Sequence, residues 1–152
     1  MAHLRRFYVE GECYHVSSVL RERAQLLASP TNARCVVNAL QFQREKRAFI
    51  LAYAVMPDHF HAVLAPKTGW NISQVMQSIK GYAARVINCR SAARGPLWQR
   101  SFYDRMIHDE RQLFETIEYV HMNPVVAGLV EDPEAYEYSS AGKPQTVDLE
   151  AF

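Results

Sequence analysis

Residues Ala48–Ala65 read AFILAYAVMPDHFHAVLA. The first half, Ala48–Met56, is an unbroken apolar run of strand length. Pro57-Asp58 is a short turn signal, and Asp58–Ala65 is a second apolar run. Two such runs across so short a turn predict a β-hairpin, and their apolarity predicts central, buried strands. Upstream, Cys13–Leu20 mixes β-branched, aromatic and small residues and predicts a strand. After the Ser29-Pro30-Thr31 cap signal, Ala33, Val36, Val37, Leu40 and Gln41 recur at helical spacing and predict a helix over 31–46. Downstream, Asn71 caps a long helix with Ile72, Val75, Met76, Ile79, Tyr82, Ala83, Val86 and Ile87 on one face. Gly95-Pro96 marks a loop, Ser101–Ile107 a strand, and Asp109 the start of a last helix that Pro124 is expected to end.

The resulting order, β-α-β-β-α-β-α, predicts an α+β fold. Its first six elements match the ferredoxin-like plan, an antiparallel sheet with helices on one face, and the last helix is additional. The 152 residues, 49% hydrophobic, suit one domain with a single core. Residues 1–130 are read as that domain and 131–152 as an acidic C-terminal extension lying on or off it.

No run approaches the ~18 apolar residues of a membrane-spanning helix. No apolar segment follows Met-Ala-His-Leu-Arg-Arg, and the three cysteines lack C-x-x-C spacing, so a cytoplasmic location without a membrane partner is expected. Net charge is only +1, yet residues 1–105 carry fifteen Lys/Arg against six Asp/Glu, and the remaining 47 carry two against ten. Such asymmetry fits a polyanion-binding face, or an ordinary solvated surface.

Side chains alternate along a strand, so His59 and His61 point one way and Phe60 the other. Two imidazoles at i, i+2 can chelate one divalent ion; a hydrogen-bonded histidine pair satisfies the same pattern. On the last helix Tyr119 and Asn123 share a face at i, i+4, beside an apolar stripe of residues 113, 117 and 120 that would dock on the sheet. Either they converge on one spot, or Tyr119 is a packing aromatic and Asn123 a helix-end residue. Lys80, Arg85, Arg90, Arg94, Arg100 and Arg105 are opposed only by Asp104 across 80–105; some are solvated helix-face charge, and a subset is expected to touch phosphates of a polyanion. Trp98, between them, could stack a base or anchor its loop in the core. His15 could approach the site and His121 could assist proton transfer, but both read first as structural histidines; His108 reads as exposed, and Asp58 as a turn residue whose side chain faces away from His59.

The run Met56-Pro57-Asp58-His59-Phe60-His61 resembles the REP-associated tyrosine transposases, the single-tyrosine branch of the HUH endonucleases. So do Gly95-Pro96-Leu97-Trp98-Gln99, Phe102-Tyr103-Asp104, Tyr119-Val120-His121-Met122-Asn123-Pro124-Val125 and Ala127-Gly128-Leu129. The resemblance spans about residues 12–141. It implies that His59 and His61 hold a divalent metal with Asn123 as third ligand, and that Tyr119 is the nucleophile. Mixed nitrogen and oxygen donors suit Mg²⁺ or Mn²⁺. It also implies cleavage of single-stranded DNA beside hairpins of repetitive extragenic palindromes, through a 5′-phosphotyrosine link that is later rejoined. The alternative is a regulator that binds nucleic-acid hairpins on the same fold with little catalysis. The acting form, monomer or homodimer, is left open.

Overall fold

The computed structural model describes residues 12–92 and 94–150. The N-terminal stretch read above, and the start of the 1–130 domain, lie outside them. Among the described residues no helix is long and apolar enough to cross a membrane.

The chain runs β1 (Tyr14–Val19), α1 (Pro30–Lys46), β2 (Ala48–Val55), β3 (His59–Pro66), α2 (Ile72–Ser91), β4 (Tyr103–Met106) and α3 (Glu110–Val126). The strands form one sheet in the order β2-β3-β1-β4, with every neighbouring pair antiparallel. This is the expected ferredoxin-like plan. Local chemistry sets the helix starts. Ser29 caps α1 with Pro30 at its first position, Asn71 and Gln74 form a reciprocal capping box on α2, and Asp109 accepts from the Gln112 amide.

Two cores lie on opposite faces of the sheet. On one, Val16, Phe60, Ala62 and Leu64 pack against Val36 and Leu40 of α1 and Val75, Met76 and Ile79 of α2. On the other, Cys13, Ala52, Ala54 and Val63 pack against Leu113, Ile117 and Val120 of α3. The helices therefore sandwich the sheet, and the apolar stripe of α3 docks as its spacing predicted. Burying each of these three side chains contributes about 2 kcal/mol.

One expectation is corrected. Pro124 does not end α3, which continues to Val126. Its missing N–H affects only the Val120 carbonyl, one turn from a helix end whose carbonyls are already losing partners. The stop is Gly128. At φ 78° it donates to the Val125 carbonyl while Leu129 donates to that of Pro124, the paired bonds of a Schellman motif.

Of the two dispositions left open for the segment after Glu131, on the domain or off it, the structure shows the first. It runs along the outer edge of β2, with Ser139 bridged to Ala54. Val55 donates to the Tyr138 carbonyl at 2.8 Å, and Tyr53 donates to Ser140 Oγ at 2.9 Å. Ser140 donates its amide to the Tyr53 carbonyl, and the Tyr136 hydroxyl donates to that of Val55 at 2.6 Å. Asp148 exchanges two bonds with the Ile50 backbone and pairs with Arg44 Nε at 2.8 Å. A bare edge strand invites pairing with other chains, and this segment covers it. A chain stopped after Glu131 therefore loses these hydrogen bonds to β2, worth roughly 3–6 kcal/mol together. Urea unfolding should show a lower midpoint and light scattering a tendency to associate; an unchanged midpoint would mark the segment as an accessory.

Candidate active site

The site lies on the α3 face of the sheet. Cα pairing sets Ser17 opposite His61 and His15 opposite Val63, so the two histidines are diagonal neighbours across the β1–β3 ladder. His15 Nε2 lies 3.0 Å from His61 Nδ1. On the far side of that ring, His61 Nε2 lies 3.1 Å from His59 Nε2. Asp58 Oδ1 then holds His59 Nδ1 at 2.6 Å, and Arg23 Nη1 holds the other Asp58 oxygen at 3.1 Å. Arg23 sits in a strained turn, where both it and Glu22 adopt positive φ (50° and 58°).

Burial controls the electrostatics. His61 is pushed down to about 3, mainly by desolvation and then by the neighbouring charges of His59 and His15. His15 is lowered by desolvation and by Arg105. Both rings are thus neutral at physiological pH and able to offer a lone pair. Burial alone would raise Asp58, but its bonds and charge interactions with His59 and Arg23 outweigh that and hold it lower. An ionised Asp58 can only accept, so the proton of a neutral His59 sits on Nδ1 and Nε2 is bare.

The facing nitrogens fit a divalent cation. At metal–nitrogen distances of about 2.1 Å, two ligands at an octahedral right angle stand about 3.0 Å apart. Among the described residues no three His, Cys, Asp or Glu side chains close on one point. Any remaining ligands would come from an amide or from substrate oxygens. Asn123 follows Tyr119 by one turn and is half-buried, outside the group that lines the cleft.

Tyr119 is 57% exposed, so its phenol reaches solvent. Its ring stands edge-on to His15 and His61, with centroids 5.8 and 5.9 Å away. The three rings border an open cleft of about 500 Å³ whose walls include Tyr103, Arg105 and Gln112. A polymer strand can enter such a cleft and meet the tyrosine without a lid.

The seven residues expected to touch DNA are dispersed. Arg105 on β4 is in the cleft. Arg94 and Arg100 are exposed in the loop between α2 and β4. Arg85 and Arg90 lie on α2, across the sheet from Tyr119. Lys80 donates to the Gln99 and Ser101 carbonyls at 3.2 Å each, tying down that loop. Trp98 takes the anchoring of its two possible roles. It is 6% exposed, donates to the Lys80 carbonyl at 3.0 Å, and packs edge-on to Phe60, so it presents no face to a base in this conformation.

Sequence reasoning missed Asp58 and Arg23 as contributors and ranked His15's approach to the site below a structural role, each for a physical reason. Asp58 was assigned to the face opposite His59 by strand alternation, but β3 starts at His59 and alternation does not extend into the turn. His15 depends on the cross-strand register, and Arg23 on a left-handed turn without glycine, so neither carries a local signal.

Three comparisons bear on this geometry. The family model described as "Transposase IS200 like" matches residues 8–123. A REP-associated tyrosine transposase of Escherichia coli K12 is 22% identical over 141 residues, covering 92% of this chain and 82% of its own. A Haemophilus influenzae protein assigned to the same type is 27% identical over 152 residues, covering 92% and 85%. Among solved structures, a REP-associated tyrosine transposase bound to a REP hairpin superposes with a TM-score of 0.72 at 23% identity, over 98% of this chain and 88% of that one. A Deinococcus radiodurans protein assigned as a transposase gives 0.51 at 21% identity, over 71% and 87%.

The buried histidines generate a pH prediction. A folded-state value below the unfolded one means that only the unfolded chain takes up the proton as pH falls. The stability linked to His61 is therefore complete above about pH 6.5 and is lost progressively toward pH 3, at up to about 1.4 kcal/mol per pH unit. Urea unfolding between pH 7 and 4 should show this decline, and His61→Gln should flatten it; parallel slopes would contradict the assignment.

Proposed function

This chain belongs to the IS200-like transposase family, and from that membership we propose that it cuts and rejoins single-stranded DNA through Tyr119. The observation that carries the reading is the exposed Tyr119 ring standing edge-on to His61, whose Nε2 pairs with that of His59, in a cleft open to a strand. A free phenol is a weak nucleophile, so this chemistry needs a site that stabilises charge at the phosphate.

In the cutting step the Tyr119 oxygen attacks phosphorus and the bond to the 3′ oxygen breaks. The phenolic proton is lost to solvent or a base, and the departing 3′ oxygen takes up a proton. The 5′ phosphate remains esterified to Tyr119 and the other strand end carries a free 3′ hydroxyl. Rejoining reverses this. A 3′ hydroxyl attacks the phosphotyrosine and the phenol leaves, so the phosphodiester energy is conserved without an external source.

His59 and His61, with Asn123 as third ligand, would hold a divalent cation, Mg²⁺ or Mn²⁺. It would supply positive charge to the phosphate oxygens where negative charge develops. Asp58 fixes His59 so that Nε2 faces inward. Arg105, exposed in the cleft, contacts the phosphate backbone beside the scissile bond. Arg85, Arg90, Arg94 and Arg100 are the remaining candidates for flanking DNA. The names of the relatives make hairpins of repetitive extragenic palindromes, with adjoining single strand, the substrate to test first.

With Mn²⁺ and a hairpin oligonucleotide labelled on the 3′ side of the cut, a denaturing gel should show label moving at protein mass. Tyr119→Phe should abolish that band, a loss of at least about 10³-fold, while hairpin affinity stays within about twofold. Cleavage that survives Tyr119→Phe would point to water as nucleophile. Tight binding without any adduct would leave a hairpin-binding regulator. Arg105→Ala should weaken binding of single strands and reduce the salt dependence of binding by about one charge.

A further inference from the structure

His15 is buried and fixed on three sides. It opposes Val63 and Arg105 across the ladders, and the rings of Tyr103 and Tyr119 stand edge-on at 5.6 and 5.8 Å. Its Nε2 faces His61 Nδ1 at 3.0 Å. That contact closes a chain that runs Asp58, His59, His61, His15.

The carboxylate sets the proton order along it. Asp58 accepts from His59 Nδ1, so a neutral His59 has a bare Nε2. Two bare nitrogens 3.1 Å apart repel, so without a cation His61 donates from its own Nε2. His61 Nδ1 is then bare and must accept, and His15 donates to it from Nε2. Capture of a cation between His59 and His61 demands the opposite. His61 Nε2 must be bare, its proton must sit on Nδ1, and the group facing Nδ1 must accept.

We propose that His15 is a positioning residue for the metal-ligating His61, exchanging tautomer as the cation binds. It donates from Nε2 to His61 without the cation and accepts at Nε2 with it. The proposal rests on His59 and His61 binding a divalent cation, as read above. The protons balance within each ring: one moves from Nε2 to Nδ1 on His61, and one from Nε2 to Nδ1 on His15. No ring changes its charge in the exchange, and no net proton is released. A carboxylate at position 15 could only accept and an ammonium only donate, whereas an imidazole serves both states. His15 thereby stabilises the ligand form of His61 without paying for a buried charge.

The test uses the intact protein labelled with ¹⁵N in its histidine rings, at pH 8, with and without Mg²⁺. Two-bond proton–nitrogen spectra distinguish the tautomers. His59 should remain protonated at Nδ1 throughout, while His61 and His15 both move from the Nε2-protonated to the Nδ1-protonated form. If His59 and His61 respond to Mg²⁺ and His15 keeps its Nε2 proton, the proposal is overturned and the cation site stands. If saturating Mg²⁺ moves none of the three, the cation site itself fails and the exchange with it. Calorimetry gives a second measure. Replacing His15 by Leu should weaken Mn²⁺ binding by about 10- to 100-fold, with His15→Gln recovering much of it because its carbonyl can accept. Equal affinity in His15→Leu and the unchanged protein would overturn the positioning role.

Discussion

The pleat of β3 is the constraint on which the site depends. Side chains on a strand must alternate, so Phe60 enters the core beneath α1 and α2 while His59 and His61 emerge together on the other face. A one-residue slip would bury both imidazoles among leucines and valines and expose Phe60. The register cannot slip because β3 is held on both sides, by β2 and by β1. The geometry of the histidine pair is thus inherited from a fully paired central strand, and its precision does not rest on a loop.

The proposed chemistry also asks for a nucleophile over that face, and α3 places Tyr119 there. Leu113, Ile117 and Val120 dock the helix on the sheet. Tyr119 flanks that stripe, which leaves its ring edge-on to His15 and His61 and the residue more than half exposed. The helix is also tied to the C-terminal segment, since His121 Nε2 lies 2.7 Å from Ser140 Oγ, which in turn accepts from the Tyr53 amide. Acidic residues that give the C-terminal part its charge act within the fold here: Asp148 grips β2 and Arg44, and Glu137 pairs with Arg34. This segment closes one edge of the sheet without lining the cleft.

Much of this was legible in the residues alone, for reasons that can be named. The strands and helices follow from apolar periodicity and caps, and the order β-α-β-β-α-β-α admits few topologies. The face shared by His59 and His61 follows from a period of two, and the docking stripe of α3 from a period of 3.6. What was not legible depends on non-local register or on irregular backbone. The diagonal approach of His15 to His61 needs the offset of β1 against β3. The Arg23–Asp58–His59 chain needs a left-handed turn between non-glycine residues. The packing of residues 132–150 along β2 follows from backbone hydrogen bonds that composition does not reveal, and an acidic sequence reads equally well as a detached tail. Trp98 was divided between two roles, and the inner face of the sheet had room for it. Pro124 was read as a helix stop because proline usually is one, although the Schellman pair at Gly128 lay four residues on.

The central claim is that one face of β3 and one face of α3 build a single site, in which the two imidazoles hold a divalent cation next to the tyrosine. Crystals soaked in Mn²⁺ test it most directly, because the ion can be located by its anomalous scattering. The account predicts a peak bonded to Nε2 of both His59 and His61, with the Tyr119 side of the ion open to substrate. A peak elsewhere on the protein, or none while the two imidazoles keep their mutual hydrogen bond, would contradict it.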